Sequence, residues 1–222
     1  MNDNPTKAKE QFELGMKYQE GNGVPQDWEK MNYWYTKAAE QGYADAQCRL
    51  GVNYYFGDGI QQDLEKANYW LTKAAEQGIG DAQLILGHNY SQGAGVPMDM
   101  EKAIYWLTKA AEQGNAGAQN SIGLEYFSGK NVKGDLKKAQ YWFTKAAEQG
   151  HAQSQYWLGR IYKAGGEEHD TKKAEYWLSK AAEQGDSVAQ NSLADAYENG
   201  YDGFPKNPEK AKYWRAKADE QK

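Results

Sequence analysis

The spacing of apolar and polar positions along this chain predicts amphipathic helices. Between Asp45 and Phe56, apolar or small residues recur at i, i+4, i+5 and i+8, which places them on one face of a helix. These residues are Ala46, Leu50, Gly51 and Tyr54. The run Gly57–Gly59 then ends the helix, because Gly adopts the positive φ that a sharp turn requires.

A second amphipathic helix is predicted to begin after Asp63. Asp is a favoured N-cap residue, and Glu65 in the first turn complements the helix dipole. The predicted buried stripe consists of Ala67, Trp70, Leu71 and Ala74. Gly78 lies just past the predicted end of the helix, where Gly is common.

This pair of helices recurs along the chain with a period of 36 residues. Trp70 and Trp106 mark the period in the second helix, and Tyr54 and Tyr90 mark it in the first. The six units span approximately residues 7–42, 43–78, 79–114, 115–150, 151–185 and 186–222. A fixed period in this range is typical of solenoids, in which each repeat packs on its neighbours. We therefore predict an all-α fold, a right-handed α-solenoid superhelix of six two-helix repeats with about twelve antiparallel helices, forming a single domain over residues 1–222.

The composition agrees with a folded repeat protein rather than a disordered chain. Mean hydropathy is low, at −0.98, but the net charge is only −5 and the chain contains 8 Trp and 17 Tyr placed in register. We expect Trp106→Ala, in a middle repeat, to cost about 3–5 kcal/mol. A pI near 5.4 argues against nucleic acid as a partner, because phosphate recognition needs clustered Lys and Arg.

The sequence predicts a cytoplasmic protein with no membrane span. The first residues lack a basic cluster followed by an apolar core, as a signal peptide would have, and no run of 18 apolar residues occurs. The single cysteine, Cys48, excludes an intrachain disulfide. A periplasmic location would require that an export signal had been removed.

We find no pattern that predicts a catalytic residue, a metal site or a cofactor. The Gly-x-Gly runs at 21–23, 57–59 and 93–95 follow helices rather than strands, so they indicate loops rather than phosphate sites. His88, His151 and His169 fall in unrelated positions of different units with no second ligand at metal spacing. Asp58 and Asp63 lack the alternating oxygen ligands of a calcium loop.

The segment Ala46–Gly78 resembles the Sel-1-like repeat family, a relative of the tetratricopeptide repeats. It carries the pattern Ala-x-x-x-Leu-Gly-x-x-Tyr-x-x-Gly-x-Gly-Val/Ile, followed by Asp-x-x-Lys-Ala-x-x-Trp-x-x-Lys-Ala-Ala-Glu-Gln-Gly. The resemblance extends over essentially the whole chain. It implies an adaptor of protein complexes, and some members of the family are immunity proteins that block secreted toxins, including antibacterial phospholipases.

Tetratricopeptide geometry, if shared, places the first helix of each repeat along a concave groove. The positions of this helix that stacking leaves free correspond to Cys48, Val52, Tyr55 and Phe56 of the second unit. The residues that we predict to bind a partner in the groove are Tyr55, Phe56, His88, Asn120, Phe127, Tyr156, Arg160 and Lys163. Aromatic residues with a nearby Arg are typical of interface hot spots. The alternative for the aliphatic positions is that Val52, Leu84 and Leu124 only fill contacts between neighbouring first helices.

The favoured hypothesis is therefore a non-enzymatic adaptor or scaffold that binds another protein or a peptide segment in this groove. An immunity protein that neutralises a secreted antibacterial toxin, such as a phospholipase effector, is the alternative. A hydrolase is a third hypothesis, and it would require an acid/base pair that the sequence does not reveal.

Overall fold

The computed structural model describes residues 5–164, 170–200 and 203–220, and within them the chain is all-α. The helices are α1 (Pro5–Glu20), α2 (Trp28–Glu40), α3 (Ala44–Phe56), α4 (Leu64–Glu76), α5 (Gly80–Gln92), α6 (Met100–Glu112), α7 (Ala116–Ser128), α8 (Leu136–Glu148), α9 (Ala152–Lys163), α10 (Thr171–Glu183), α11 (Ser187–Asn199) and α12 (Pro208–Asp219). Odd-numbered helices are the first helices of the repeats and even-numbered helices are the second. The predicted fold, a solenoid of six two-helix repeats, is confirmed. His169 and Tyr201 lie outside the described residues.

The chain divides into two compact units of three repeats each. Unit 1, Met1–Asn115, contains α1 to α6, and unit 2, Ala116–Lys222, contains α7 to α12. In unit 1, α1 packs on α2, α3 on α4 and α5 on α6, and the second helices α2 and α4 also contact the first helix of the next repeat. The same order of contacts holds among the helices of unit 2. Each unit is thus a stack of helix hairpins.

Each second helix begins at a side-chain cap. The Asp63 carboxylate accepts a hydrogen bond from the Lys66 backbone N–H at 2.9 Å, and the same carboxylate forms an ion pair with the Lys66 ammonium at 3.0 Å. These two interactions lower the pKa of Asp63 below its usual value. The corresponding caps are Asp27, Asp99, Asp135, Asp170 and Asn207. The predicted cap positions are confirmed.

In the first five repeats the two helices approach so closely that a Cβ atom at the crossing would clash, whereas the sixth repeat has the fully buried Ala194 at this position. A Cβ atom on Gly51 would lie 2.8 Å from Cγ of Leu71, and one on Gly123 would lie 2.7 Å from Cδ1 of Phe143. Leu71 and Phe143 are fully buried at these crossings. Close approach of the two backbones therefore lets a large apolar side chain of the second helix fill the crossing.

The prediction of the buried stripe was right for the small and aliphatic residues and wrong for the tryptophan. Ala67, Leu71 and Ala74 are fully buried, but Trp70 is only half-buried. Trp70 packs on the edge of a cluster that includes Tyr35 and Leu50 of the two preceding helices. The Leu71 position, one residue further on, faces the helix crossing, so the indole is left at the rim of the core.

The Gly-rich loops have a structural role, as expected. Gly59 has φ +64°, and a Cβ atom there would lie 2.3 Å from Cβ of Trp28 in the preceding repeat. The Asn32 side chain donates hydrogen bonds to the carbonyl oxygens of Trp28 at 3.0 Å and Asp58 at 2.7 Å. Asn53 in turn donates to Asn32 at 2.8 Å. These bonds hold the loop of one repeat against the previous second helix.

Candidate partner-binding surface

In unit 1, three of the predicted site residues line one surface pocket between α3 and α5. The pocket, here called the unit 1 pocket, has a volume of about 200 Å³. Its lining residues are Val52, Tyr55, Phe56, Ile85, His88, Asn89 and Gln92. The Tyr55 and Phe56 rings meet edge to face with 5.0 Å between centroids, and Phe56 is 66 % exposed. The structure thus brings Tyr55, Phe56 and His88 together.

The floor of this surface is built by aliphatic contacts. Val52 and Cys48 pack against the core cluster of Leu71 and Leu86. Burial raises the pKa of the Cys48 thiol to about 11, so this group is a protonated, unreactive packing group at neutral pH. Burial lowers the pKa of His88 below 6.5, which favours the neutral imidazole. The unit 1 pocket therefore carries apolar side chains and an uncharged ring.

In unit 2, the predicted residues Phe127, Tyr156 and Arg160 lie around a tryptophan. The ring centroids of Phe127 and Trp157 are 5.0 Å apart, and Phe127 is 38 % exposed. The Arg160 guanidinium lies 5.0 Å from the centroid of Trp157 and 5.8 Å from that of Tyr156. We call Phe127, Tyr156, Trp157 and Arg160 the unit 2 cluster. Lys163, at the end of α9, is half-buried.

Trp157 is a member of this cluster that the sequence reasoning missed. It occupies the position that Ile85 holds two units earlier, and it lies outside the Trp column of the second helices, which includes Trp142 and Trp177. The signal that could have identified Trp157 is that it is a tryptophan on a first helix, outside the column of tryptophans on the second helices. Its ring stacks on Phe143 of the core at 6.3 Å with 13° between planes, so it joins the core to the surface.

Asn120 is buried and its side chain is occupied within the fold. Its amide donates to Gln153 Oε1 at 2.8 Å, and its carbonyl oxygen accepts from the Ser154 hydroxyl at 2.9 Å. With 5 % exposure, Asn120 joins α7 to α9 instead of facing solvent. We therefore leave Asn120 out of the proposed binding surface.

A second exposed column, on the second helices, was also missed. Six tyrosines are each 53–55 % exposed: Tyr33, Tyr69, Tyr105, Tyr141, Tyr176 and Tyr213. Each meets the following Trp edge to face, as Tyr69 meets Trp70 at 4.9 Å. Lys73, four residues on, lies 5.0 Å above the Tyr69 ring. The recurring Tyr-Trp dipeptide signals this column, whose rings cover the half-buried indoles.

A serine and a histidine approach each other in unit 2, but their geometry does not suit nucleophilic catalysis. Ser154 Oγ lies 3.1 Å from His151 Nδ1, and Nδ1 also accepts from the Ser154 backbone N–H at 3.3 Å as the N-cap of α9. Ser154 is fully buried and its hydroxyl donates to Asn120. A nucleophile must reach its substrate, and this hydroxyl does not reach the surface.

Other polar clusters in unit 2 are also internally satisfied. Tyr197 donates to Glu175, and the Lys210 ammonium lies 2.9 Å from the same carboxylate. In the parts of the chain that the structure describes, no three His, Cys, Asp or Glu side chains come together as metal ligands. None of the described helices is long and apolar enough to cross a bilayer.

Comparison with known proteins gives the same picture of the repeats. The Sel1 repeat profile matches residues 11–43, 44–79, 80–115, 116–151, 152–186 and 187–218. The structure of a Sel1 repeat protein from Oxalobacter formigenes is 35% identical to this chain, with a TM-score of 0.83 over 99% of this chain and 89% of that one. A protective antigen present in uropathogenic Escherichia coli strains, displaying an SLR fold, is 34% identical with a TM-score of 0.62, and the match covers 96% of this chain and 54% of that chain.

More distant structures share the fold alone. An immunity protein from Pseudomonas aeruginosa is 20% identical to this chain, with a TM-score of 0.54 over 96% of this chain and 81% of that one. No curated protein matches the sequence.

Proposed function

Because the chain belongs to the Sel1 repeat family, we propose that it is a non-enzymatic adaptor or scaffold that binds a segment of another protein on its first helices. The fold is typically one of protein interaction. One first helix in each unit carries an exposed aromatic side chain, Phe56 on α3 in unit 1 and Phe127 on α7 in unit 2. The second helices carry the residues that hold the stack together.

The unit 1 pocket is the observation that carries this proposal. Phe56 is the most exposed aromatic residue among the described side chains, at 66 %, and it stands beside a pocket of about 200 Å³. A cavity of about 150 Å³ holds a benzene ring, so this pocket has room for one apolar side chain of a partner. Burying a Phe side chain contributes about 1.5–3 kcal/mol, which is the size of an interface hot spot.

Affinity capture with matched variants tests the proposal. Wild-type protein is compared with a Tyr55→Ala, Phe127→Ala, Arg160→Ala triple variant and with Tyr69→Ala, which removes an exposed aromatic ring from a second helix. Circular dichroism checks that every variant is folded. We expect a partner that wild type and Tyr69→Ala retain and that the triple variant loses. Equal recovery by the triple variant would move the site away from the first helices.

A toxin-neutralising immunity protein is the second candidate. It is supported by the name of the Pseudomonas aeruginosa neighbour, although at 20% identity that likeness extends to the fold only. Binding strength separates the two candidates. A single partner held one to one with sub-nanomolar affinity would favour an inhibitor, and several partners held at micromolar affinity would favour an adaptor. The cytoplasmic location stays a prediction.

A further inference from the structure

We infer that the unit 2 cluster binds an acidic peptide segment in which an Asp or Glu lies close to an apolar side chain. This inference rests on the proposed function, since it names the chemistry of the partner on one part of the same surface. In the complex that we infer, Arg160 pairs with the carboxylate of the peptide, and Phe127 and Trp157 contact its apolar side chain.

The Arg160 side chain is exposed but is held in place by aromatic rings. Its guanidinium lies over Trp157 at 5.0 Å and beside Tyr156 at 5.8 Å. Arg stacks on aromatic faces while its N–H donors remain directed outward in a planar fork that matches a carboxylate. A side chain that is already oriented loses less conformational entropy on binding. The cluster therefore presents a preorganised cation.

No carboxylate of the described residues forms an ion pair with Arg160. The corresponding position on the next first helix is Asp195, which is bound instead to Arg215 of α12 at 2.6 Å. Arg215 also contacts Glu198 at 3.1 Å. Among the described residues, the acidic side chains of the next first helix thus pair with α12 and not with Arg160.

The apolar part of the surface lies beside this cation. Phe127 is exposed on one side and packs at 5.0 Å on Trp157. Trp157 is in turn stacked on the fully buried Phe143 at 6.3 Å, and this contact fixes the position of the Phe127 and Trp157 rings. A partner segment with an apolar side chain and a carboxylate two or three residues apart would place the apolar side chain on Phe127 and Trp157 and the carboxylate on Arg160.

The charge balance favours a single carboxylate over a polyanion. The chain has a net charge of −5, which repels nucleic acids and other extended polyanions. One exposed Arg on an aromatic platform is suited to a local carboxylate, whereas phosphate backbones select clusters of cations. The occupant is therefore an acidic protein segment.

Selection from a random 12-residue peptide phage library tests the inference. The full-length wild-type protein is the bait, and individual peptides are then measured by fluorescence anisotropy against wild type and four variants. The test variants are Arg160→Gln and Arg160→Glu, and Phe56→Ala tests the unit 1 pocket. Arg49→Gln is the matched control, because Arg49 is an exposed arginine on the first helix α3 of unit 1.

We expect enriched peptides to share an Asp or Glu within about three residues of an aromatic or aliphatic residue. Their affinity should fall about tenfold or more with Arg160→Gln, as loss of one charge-assisted pair predicts, and stay unchanged with Arg49→Gln. Replacing the peptide acid by Lys should restore binding to Arg160→Glu. Binding restored by exchanging the two charges would show that Arg160 pairs directly with the acidic residue of the peptide.

Two results would overturn the inference, and they differ in what they say of the proposed function. Peptides that bind Arg160→Gln as well as wild type but lose affinity with Phe56→Ala would refute the acidic partner and leave first-helix binding intact. Failure to enrich any peptide over the unselected library would count against both proposals.

Discussion

Most second helices of this protein are closely similar to one another, whereas its first helices vary at several exposed positions. Along the second helices, the position of Leu71 is filled by Leu107, Phe143 and Leu178, and all four side chains are buried. Along the first helices, the position of Val52 becomes His88, Leu124, Arg160 and Asp195. Stacking constrains the first set because each member fills a helix crossing. The second set is released from that constraint and is therefore available for recognition.

The exposed tyrosines of the second helices show that a residue can recur in every repeat without being buried. Tyr69 is 55 % exposed, yet a tyrosine stands at this position in all six repeats. Its ring meets Trp70 edge to face at 4.9 Å and shields part of an indole that the core leaves half-buried. Exposed residues on the second helices can thus serve the repeat itself, and exposure by itself does not identify a binding site.

The largest difference between the two sets should appear in stability. Phe143→Ala removes a fully buried ring at a helix crossing and is expected to lower the free energy of unfolding by about 3–5 kcal/mol. Phe127→Ala, in the exposed cluster, should cost about 1 kcal/mol or less. Urea denaturation of both variants measures the difference. Equal losses would make Phe127 a core residue and would weaken the binding surface.

Substituting a half-buried tryptophan should lower the free energy of unfolding by an amount between those of Phe143→Ala and Phe127→Ala. Trp106 packs on the rim of a core cluster in unit 1, so Trp106→Ala is now expected to cost about 2 kcal/mol instead of the 3–5 kcal/mol of a full core position. The same urea series checks this order. A loss as large as that of Phe143→Ala would show that the rim contributes as much as the crossing.

An effect of similar size to that of Trp106→Ala is expected at the buried asparagines of unit 1. Asn68 donates at 2.7 Å to the carbonyl oxygens of both Leu64 and Ala94, and it accepts from Asn89 at 2.8 Å. Asn68→Ala leaves these buried groups unpaired and should cost about 1–3 kcal/mol. A double-mutant cycle with Asn89→Ala measures the coupling between the two amides. Additive losses would contradict a shared hydrogen bond.

Acid should weaken the fold through the two described histidines. Burial lowers the pKa of both His88 and His151, so the folded state favours the neutral rings. The unfolded value is about 6.5, so this stability is present above that pH and is lost as the pH falls through the lower folded values. The urea midpoint should therefore be lower at pH 5.5 than at pH 7.5.

A variant that borrows residues from the fourth repeat is the control for this pH effect. Leu124 and Asn115 occupy the positions of His88 and His151, so His88→Leu with His151→Asn should reduce the drop between the two pH values. The capping carboxylates of Asp63 and Asp99 do not interfere, because hydrogen bonds from Lys66 and Lys102 hold the pKa of each below its usual value. An unchanged drop in the double variant would assign the acid sensitivity to other groups.

The sequence was sufficient for the fold because a 36-residue period leaves few alternatives. The period, the Gly positions and the capping residues each depend on local chemistry, and the structure has all of them where they were expected. The burial of Trp70 was not predictable, since the sequence pattern does not say which of two adjacent apolar residues faces the crossing. The burial of Asn120, which we had predicted to bind a partner, and the role of Trp157 were not predicted for a related reason, because the surroundings of both come from α9 packing on neighbouring helices rather than from the repeat.

The most direct test compares two exposed aromatic rings, one on a first helix and one on a second helix. Phe56 lies on a first helix and Tyr69 on a second, at 66 % and 55 % exposure. Phe56→Ala and Tyr69→Ala should each lower the free energy of unfolding by only about 0.5–1.5 kcal/mol, because each ring is more than half exposed and meets one neighbouring ring edge to face. The measurement is the dissociation constant of each variant for a captured partner. A loss of about tenfold or more with Phe56→Ala and none with Tyr69→Ala is the predicted result, whereas loss with Tyr69→Ala alone would place recognition on the repeated face and contradict the account.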